Sequence, residues 1–155
     1  NDAESILRSL PTIGLRYEAQ DRTARHLAAW WQTQAACVQV MHPALKDSPG
    51  HDHWKALCAP TGDAGLAAGL FSVMLHPKFS QDQVDAFCDQ LQLFKIGYSW
   101  GGPVSLVVPY NIASMRSNWP SHLKPGHLVR FSTGFESSKD LIDDLTQAVS
   151  SCLNI

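Results

Sequence analysis

The apolar residues of the N-terminal segment follow a helical rhythm, and this pattern constrains the fold more than any other feature of the sequence. From Asp2 to Trp31 they recur three or four positions apart, which predicts one long amphipathic helix or two helices joined end to end. Pro11 lacks an amide proton and Gly14 is a poor helix former, so we expect a bend or break between Leu10 and Gly14. Asp2 is the expected N-cap. The residues on the shared apolar face are Ile6, Leu10, Ile13, Tyr17, Ala24, Leu27 and Trp31.

After this segment, strand-like runs alternate with shorter helices. The predicted strands are 37–41, 65–75, 93–97, 105–108 and 127–132. A short helix is predicted at 51–57, a second after the capping box of Ser80 and Gln83, and a last one opened by Ser137 and Asp140. This order predicts an α+β fold, a two-layer domain in which helices pack on one face of a small, mainly antiparallel sheet behind a long N-terminal helix.

Composition excludes several classes of function. The chain has 155 residues, 45% of them hydrophobic, which suits one globular core over residues 1–155. Lys and Arg number 12 against 14 Asp and Glu, so the sequence has no basic stripe for nucleic acid, and no apolar run approaches the length of a membrane span. The chain starts at Asn1 without an initiator Met or a signal peptide, so we expect it to be part of a longer protein.

The cysteines indicate a reducing compartment. Cys37, Cys58, Cys88 and Cys152 lie far apart among mostly apolar neighbours, which favours buried free thiols and a cytoplasmic location. Two disulfide bonds are the alternative.

Arg130 is the first candidate functional residue, because it interrupts the apolar strand Leu128-Val129-Arg130-Phe131. A guanidinium in such a strand requires an anion beside it. One candidate is an acidic side chain of the same chain, such as Glu136, in a structural ion pair. The other is a ligand carboxylate, which the planar fork can hold through two parallel hydrogen bonds.

A second candidate feature is the run Tyr98-Ser99-Trp100-Gly101-Gly102. The adjacent glycines permit positive φ angles and the close approach of a ligand, while the serine and the two aromatic side chains offer a hydroxyl and stacking faces. Alternatively the run is a tight connection between strands, with Trp100 packed in the core.

Other kinds of site have little support. His51 and His53 are the closest histidine pair, but no cysteine or carboxylate stands at a zinc-site spacing from them, so no metal site is predicted. The sequence contains neither a Gly-x-Ser-x-Gly elbow for a Ser-His-Asp triad nor a phosphate-binding loop.

Five stretches of the sequence can be compared with known families. They are Asp2-Ala3 through Arg8-Ser9-Leu10-Pro11-Thr12, Val40-Met41-His42-Pro43-Ala44-Leu45, Gly69-Leu70-Phe71-Ser72, Tyr98-Ser99-Trp100-Gly101-Gly102, and Leu128-Val129-Arg130-Phe131-Ser132-Thr133-Gly134-Phe135-Glu136. In the same order and at similar spacings over nearly the whole chain, they resemble the C-terminal domain of the pyridoxal-phosphate-dependent enzymes of cysteine and methionine metabolism. Trp100 in the fourth stretch favours the β-lyase branch, whose members cleave the Cβ–S bond of L-cystathionine to homocysteine, pyruvate and ammonia.

The resemblance implies a role for each matching residue. Arg130 would hold the α-carboxylate of an amino-acid substrate, Ser99 would assist through its hydroxyl or backbone, and Tyr98 and Trp100 would line the same site. In this family the cofactor is bound to a lysine of a large domain. No lysine here lies in a Ser-x-Thr-Lys-like context, so we expect no catalytic and no cofactor-binding residue in this chain, and no activity from it alone.

Two functions remain open at this point. The first is the small domain of a β-lyase, or of a γ-lyase or γ-synthase of the same family, working with a missing large domain in a homotetramer; the isolated domain would then be a possible dimer. The second is a non-catalytic module that binds a carboxylate or a protein partner through the same cleft or through exposed apolar surface.

Overall fold

The N-terminal helical segment divides at Pro11, as the sequence predicts. The computed structural model describes residues 1–62 and 65–154, and in it helix α1 (Asp2–Ser9) is followed by a 3-10 turn (Leu10–Thr12) and helix α2 (Ile13–Gln32). The N-cap prediction is wrong by one residue, because the side chain of Asn1, not that of Asp2, accepts the capping hydrogen bond.

The predicted α+β architecture is confirmed. The other helices are α3 (His51–Cys58), α4 (Gln81–Gln90), α5 (Ile112–Met115) and α6 (Ser138–Cys152). The strands are β1 (Cys37–Met41), β2 (Leu70–Leu75), β3 (Lys95–Ile96), β4 (Leu106–Tyr110) and β5 (His127–Ser132). They form one sheet in the order β1-β2-β5-β4-β3, in which only β3 and β4 pair in parallel. Helices α2, α4 and α6 share a hydrophobic core with one face of this sheet.

The predicted apolar face of the N-terminal segment is only half covered. Ala24, Leu27 and Trp31 of α2 are completely buried against the sheet. In contrast, α1 contains no buried residue, and Leu10 and Ile13 are each 54% exposed. The helical period therefore predicted the secondary structure correctly, but half of the face has no partner within the described residues.

The strand predicted at 65–75 begins only at Leu70, because side chains of α2 hold the residues before it. The carboxylate of Asp21 accepts a hydrogen bond from the amide of Ala67, and Arg25 donates to the carbonyl of Gly65 at 2.6 Å. Asp21 and Arg25 also pair with each other at 2.8 Å. Backbone groups that are bonded to these side chains are not available to a sheet ladder.

The helix starts differ in how they are capped. Ser80 and Gln83 form the predicted capping box at the start of α4. Ser137 stands at the N-cap of α6, but its hydroxyl makes no capping hydrogen bond. The short helix α5 was not anticipated, and the side chain of Asn111 caps it.

The cysteines are free thiols, and they differ in burial. Cys88 is buried as expected, and this burial raises the pKa of its thiol to about 12. Cys58 is exposed, so the expectation of a buried position is wrong for that residue. The helices of residues 1–62 and 65–154 include none that combines the length and the apolar character of a membrane-spanning segment.

Strand β3 is shorter than the predicted strand at 93–97, because Asp144 of α6 accepts hydrogen bonds from the backbone just before it. The buried carboxylate accepts hydrogen bonds from the backbone amides of Gln92, at 2.9 and 3.1 Å, and of Leu93, at 2.9 Å. These bonds set the position at which the chain leaves α4 and leads through β3 towards residue 98.

We expect Asp144→Asn to lower the free energy of unfolding by about 2 kcal/mol, since it removes charge-assisted acceptors from two buried amides. Urea denaturation of the purified chain measures this change. Asp143→Asn is the matched control, because Asp143 is exposed and pairs only with Lys139 at the surface; its effect is expected to stay below about 1 kcal/mol. Equal losses in the two variants would contradict the role given to Asp144.

His42 makes the fold sensitive to acid. Its side chain is completely buried, its Nδ1 accepts a hydrogen bond from the amide of Ala44 at 3.2 Å, and its Nε2 has no partner among the described residues. Burial, helped by the cation of Arg25, lowers the pKa of His42 from 6.5 to about 4. The folded state therefore holds the ring neutral, whereas the unfolded chain binds a proton near pH 6.5.

The free energy of unfolding should accordingly contain the full contribution of the neutral His42 above pH 6.5 and lose it as the pH drops towards 4. The contribution of His42 between pH 7 and pH 5 is a loss of about 2 kcal/mol. Urea denaturation at both pH values should show this loss in the wild type and in His53→Phe, which alters an exposed histidine. It should be largely absent in His42→Phe, and an unchanged pH dependence in that variant would refute the assignment.

Candidate functional site

Arg130 lies in the middle of β5, on the face of the sheet opposite the helices. Its neighbours Val129 and Phe131 are completely buried in the core, so the alternation of the strand directs Arg130 the other way. The register places it between Ser72 of β2 and Val108 of β4. The side chain is half-buried, with its end at the turn that follows β3.

The guanidinium is held by backbone carbonyls and not by an acid. Nη2 donates to the carbonyl of Tyr98 at 2.7 Å and to that of Ser99 at 3.3 Å, with the Gly97 carbonyl at 3.5 Å. Nε and Nη1 have no hydrogen-bond partner among the described residues, and no described carboxylate lies within 4.0 Å of the group. The side chain is thus fixed in position and still has donors for a carboxylate.

Glu136, the acidic partner considered from the sequence, is used elsewhere. Its carboxylate accepts hydrogen bonds from the amide and from the hydroxyl of Ser105, both at 2.8 Å. The Ser105 hydroxyl oxygen in turn accepts from the amide of Gly134 at 2.9 Å. A side chain at position 134 would overlap the carbonyl of Pro103, which explains the glycine there. In place of an ion pair with Arg130, Glu136 ties the end of the turn to the chain beyond β5.

Two aromatic rings flank the guanidinium. The Cζ atom of Arg130 lies 5.8 Å from the ring centroid of Trp100 and 5.9 Å from that of Tyr110, within the range of cation–π attraction. Trp100 is 64% exposed, so the alternative in which it packs in the core is wrong. Tyr110 was missed because β4 was predicted to end at Val108; extension of the same alternation by two residues would have placed it on the face of Arg130.

The other residues predicted for the site lie at the same turn. Tyr98 is 72% exposed, and its ring meets that of Tyr110 edge to face at 6.3 Å. Ser99 is exposed and contacts Arg130 through its carbonyl; its hydroxyl makes no hydrogen bond with the described residues. The structure thus brings Tyr98, Ser99, Trp100 and Arg130 together, and the backbone of Ser99, not its hydroxyl, makes the contact.

Hydrogen bonds to β5 and from α2 hold the turn at 98–102 in place. Gly101 has a φ of +74°, a conformation that favours glycine, and its amide donates to the hydroxyl oxygen of Ser132 at 3.4 Å. The side-chain amide of Gln20 in α2 donates to the carbonyl of Gly102 at 2.9 Å. Gln20, Gly101 and Ser132 also line, together with Trp100, a cavity of about 210 Å³. The spacing of the sequence offered no signal for Gln20, because the contact joins residues that are distant along the chain.

The histidine pair does not form a metal site. The Nδ1 atom of His51 lies 2.9 Å from the carbonyl of Pro43, whereas the side chain of His53 is exposed. Within residues 1–62 and 65–154 no three His, Cys, Asp or Glu side chains come together as metal ligands would. The groups that surround the Arg130 guanidinium are backbone carbonyls and aromatic faces.

Comparison with known proteins identifies the family. A family described as Cys/Met metabolism PLP-dependent enzyme matches residues 1–150. The sequence is 37% identical over 141 residues to the cystathionine beta-lyase of Salmonella typhimurium, an alignment that covers 89% of this chain and 34% of that protein. It is also 32% identical over 149 residues to the L-alanine/L-glutamate racemase of Wolbachia pipientis wMel, covering 95% of this chain and 36% of that protein.

The fold leads to the same group of proteins. The crystal structure of cystathionine gamma synthase from Xanthomonas oryzae pv. oryzae in complex with aminoacrylate and cysteine matches with a TM-score of 0.73 and 28% identity. The match covers 95% of this chain and 37% of that one. The chain thus spans roughly a third of the length of the curated relatives it matches.

Pyridoxal phosphate is the cofactor of this family, but the residues around Arg130 do not fit it. The groups that contact the guanidinium are carbonyls and aromatic rings, and no lysine amine is among them. Lys95 and Lys139, for example, bond to the Gln92 carbonyl and to Asp143. These described contacts of Arg130 offer no amine that could anchor the cofactor. On the evidence of its sequence and fold, the chain belongs to the pyridoxal-phosphate-dependent enzymes of cysteine and methionine metabolism.

Proposed function

We propose that the chain is the substrate-carboxylate-binding C-terminal domain of a pyridoxal-phosphate-dependent cystathionine β-lyase. The observation that carries this proposal is the state of Arg130, which is fixed by the carbonyls of Tyr98 and Ser99 and has no acidic partner among the described residues. A half-buried guanidinium without an anion is unfavourable, so the position suits a ligand that brings one. An amino-acid substrate has such a group in its α-carboxylate.

The contribution of Arg130 to catalysis would be orientation. Its planar fork can bind both oxygens of a carboxylate, while the carbonyl contacts to Nη2 restrict rotation of the fork. Trp100 and Tyr110 add flat walls that limit where the carboxylate can sit. When bound in the remainder of the protein, the cofactor supplies the electron-accepting ring required for elimination at Cβ.

The remainder of the site would come from a large domain outside this chain, in a cytoplasmic homotetramer. The relatives are about three times as long as the chain, which supports the proposal of a large domain outside it. The exposed apolar side chains on α1, on the 3-10 turn and at the start of α2 support burial by further protein. They are Ile6, Leu7, Leu10 and Ile13.

In the full-length protein, we expect Arg130→Lys to raise the KM for L-cystathionine by about 10- to 100-fold, since an ammonium group cannot form the bidentate pair. Steady-state kinetics with detection of the released thiol measures the change. Arg22→Lys, an exposed position on α2, is the matched control and should leave the KM unchanged. A KM for Arg130→Lys close to that of the wild type would remove Arg130 from the site.

The keto-acid product distinguishes β-cleavage from the other reactions of the family. Pyruvate from L-cystathionine is the result expected of a β-lyase, and 2-oxobutyrate would indicate a γ-lyase. A protein that releases neither keto acid would contradict the lyase assignment and favour a different activity or a binding module.

The 155-residue chain by itself is expected to be inactive. Incubated with pyridoxal phosphate and L-cystathionine, it should release no pyruvate above a protein-free blank, because no lysine belongs to the Arg130 site. It should also show no yellow absorbance after gel filtration. Pyruvate release that is abolished by Arg130→Lys would overturn this expectation and assign the complete reaction to the chain.

A further inference from the structure

We propose that Gln20 is a positioning residue of the carboxylate site, which holds the turn at 98–102 so that its carbonyls fix the guanidinium of Arg130. The inference rests on the proposed function and extends it to a residue of a helix distant in sequence from the site. Its basis is one partly buried hydrogen bond, from the side-chain amide of Gln20 to the carbonyl of Gly102 at 2.9 Å.

Gln20 is placed rigidly enough to act as an anchor. It is only 6% exposed, and its own backbone carbonyl accepts a hydrogen bond from the hydroxyl of Thr133 at 3.0 Å, just beyond β5. A Cβ atom at Gly69 would lie 3.0 Å from the Cβ of Gln20, so the chain entering β2 packs directly against it. Gln20 is thus held by the residue that follows β5 and by the residue that precedes β2.

The turn depends on such an anchor. Between β3 and β4 it has no regular structure, and the Gly101 amide is 3.4 Å from the hydroxyl of Ser132, a long contact. The carbonyl of Pro103 is bonded to the amide of Phe135 at 2.9 Å, but this bond holds only the far end. The shorter hydrogen bond from the side chain of Gln20 is made to Gly102, which precedes Pro103 and lies two residues from Trp100.

The expected consequence is a change in affinity without a change in the chemical step. If the donor at position 20 is lost, Gly102 is released, and the carbonyls of Tyr98 and Ser99 no longer restrain Nη2 of Arg130. The carboxylate would then bind a less ordered fork, which raises the KM. Gln20 does not touch the guanidinium, so the rate at saturating substrate should change little.

The test uses Gln20→Met in the full-length protein, because Met keeps the volume and removes the donor. The KM for L-cystathionine should rise about 3- to 10-fold, as expected for one lost hydrogen bond, while kcat stays within about 2-fold. Gln34→Met is the matched control, since Gln34 lies just after the end of α2 and its side-chain amide donates only to Trp30 and Thr33 of its own segment. Its KM should equal that of the wild type.

A double variant separates positioning from general structural damage. In the Arg130→Lys background, Gln20→Met should raise the KM by less than about 2-fold further, because the group that it positions is already gone. Additive effects, or an unchanged KM in Gln20→Met alone, would overturn the inference. If Gln20→Met does not fold, Gln20→Leu serves in the same cycle, since its side chain also lacks a donor and adds no charge at this buried position.

The same series distinguishes failure of the inference from failure of the proposed function. A wild-type KM in Arg130→Lys would refute both, because no carboxylate site would remain to be positioned. A raised KM in Arg130→Lys together with a wild-type KM in Gln20→Met would refute only the role of Gln20.

Discussion

The contact between the Arg130 guanidinium and the carbonyls of Tyr98 and Ser99 is the interaction on which the site depends. It joins the middle of the sheet to an irregular turn, and it uses one nitrogen of the guanidinium while the others stay available. Carbonyl oxygens hold a cation in place without neutralising it. An acidic side chain in the same position would have satisfied the charge internally and left nothing for a ligand.

The buried and half-buried acids of the chain show how this arrangement is maintained. Asp21 accepts from the amide of Ala67 and pairs with Arg25, Asp144 accepts from the amides before β3, and Glu136 binds Ser105. Each carboxylate ends a segment or anchors a connection, so each is occupied by the backbone of its own chain. Glu136, the acid closest in sequence, is thereby kept from Arg130, which remains a half-buried cation without an acidic partner among the described residues.

The family relationship and the surface of the chain are consistent with each other. The core between α2, α4, α6 and the sheet is closed, yet α1 contributes no buried residue and the rings of Tyr98 and Trp100 are largely exposed. The chain spans about a third of the length of its relatives, and under the proposed function a large domain would cover these exposed surfaces. The rings of Tyr98 and Trp100 belong to the candidate site, so the same domain would enclose the proposed ligand.

Local periodicity and short motifs in the sequence predicted the order of the strands and of the longer helices, the break at Pro11 and the capping box at Ser80. The grouping of Tyr98, Ser99 and Trp100 with Arg130 followed from the family resemblance. The partners of Glu136 and Gln20 became known only from the tertiary structure. Glu136 bonds to Ser105 and Gln20 to Gly102, through contacts that cross between strand ends or connect helix to turn. No sequence spacing encodes such contacts, since they follow from sheet register and helix packing, which are set by the whole core at once.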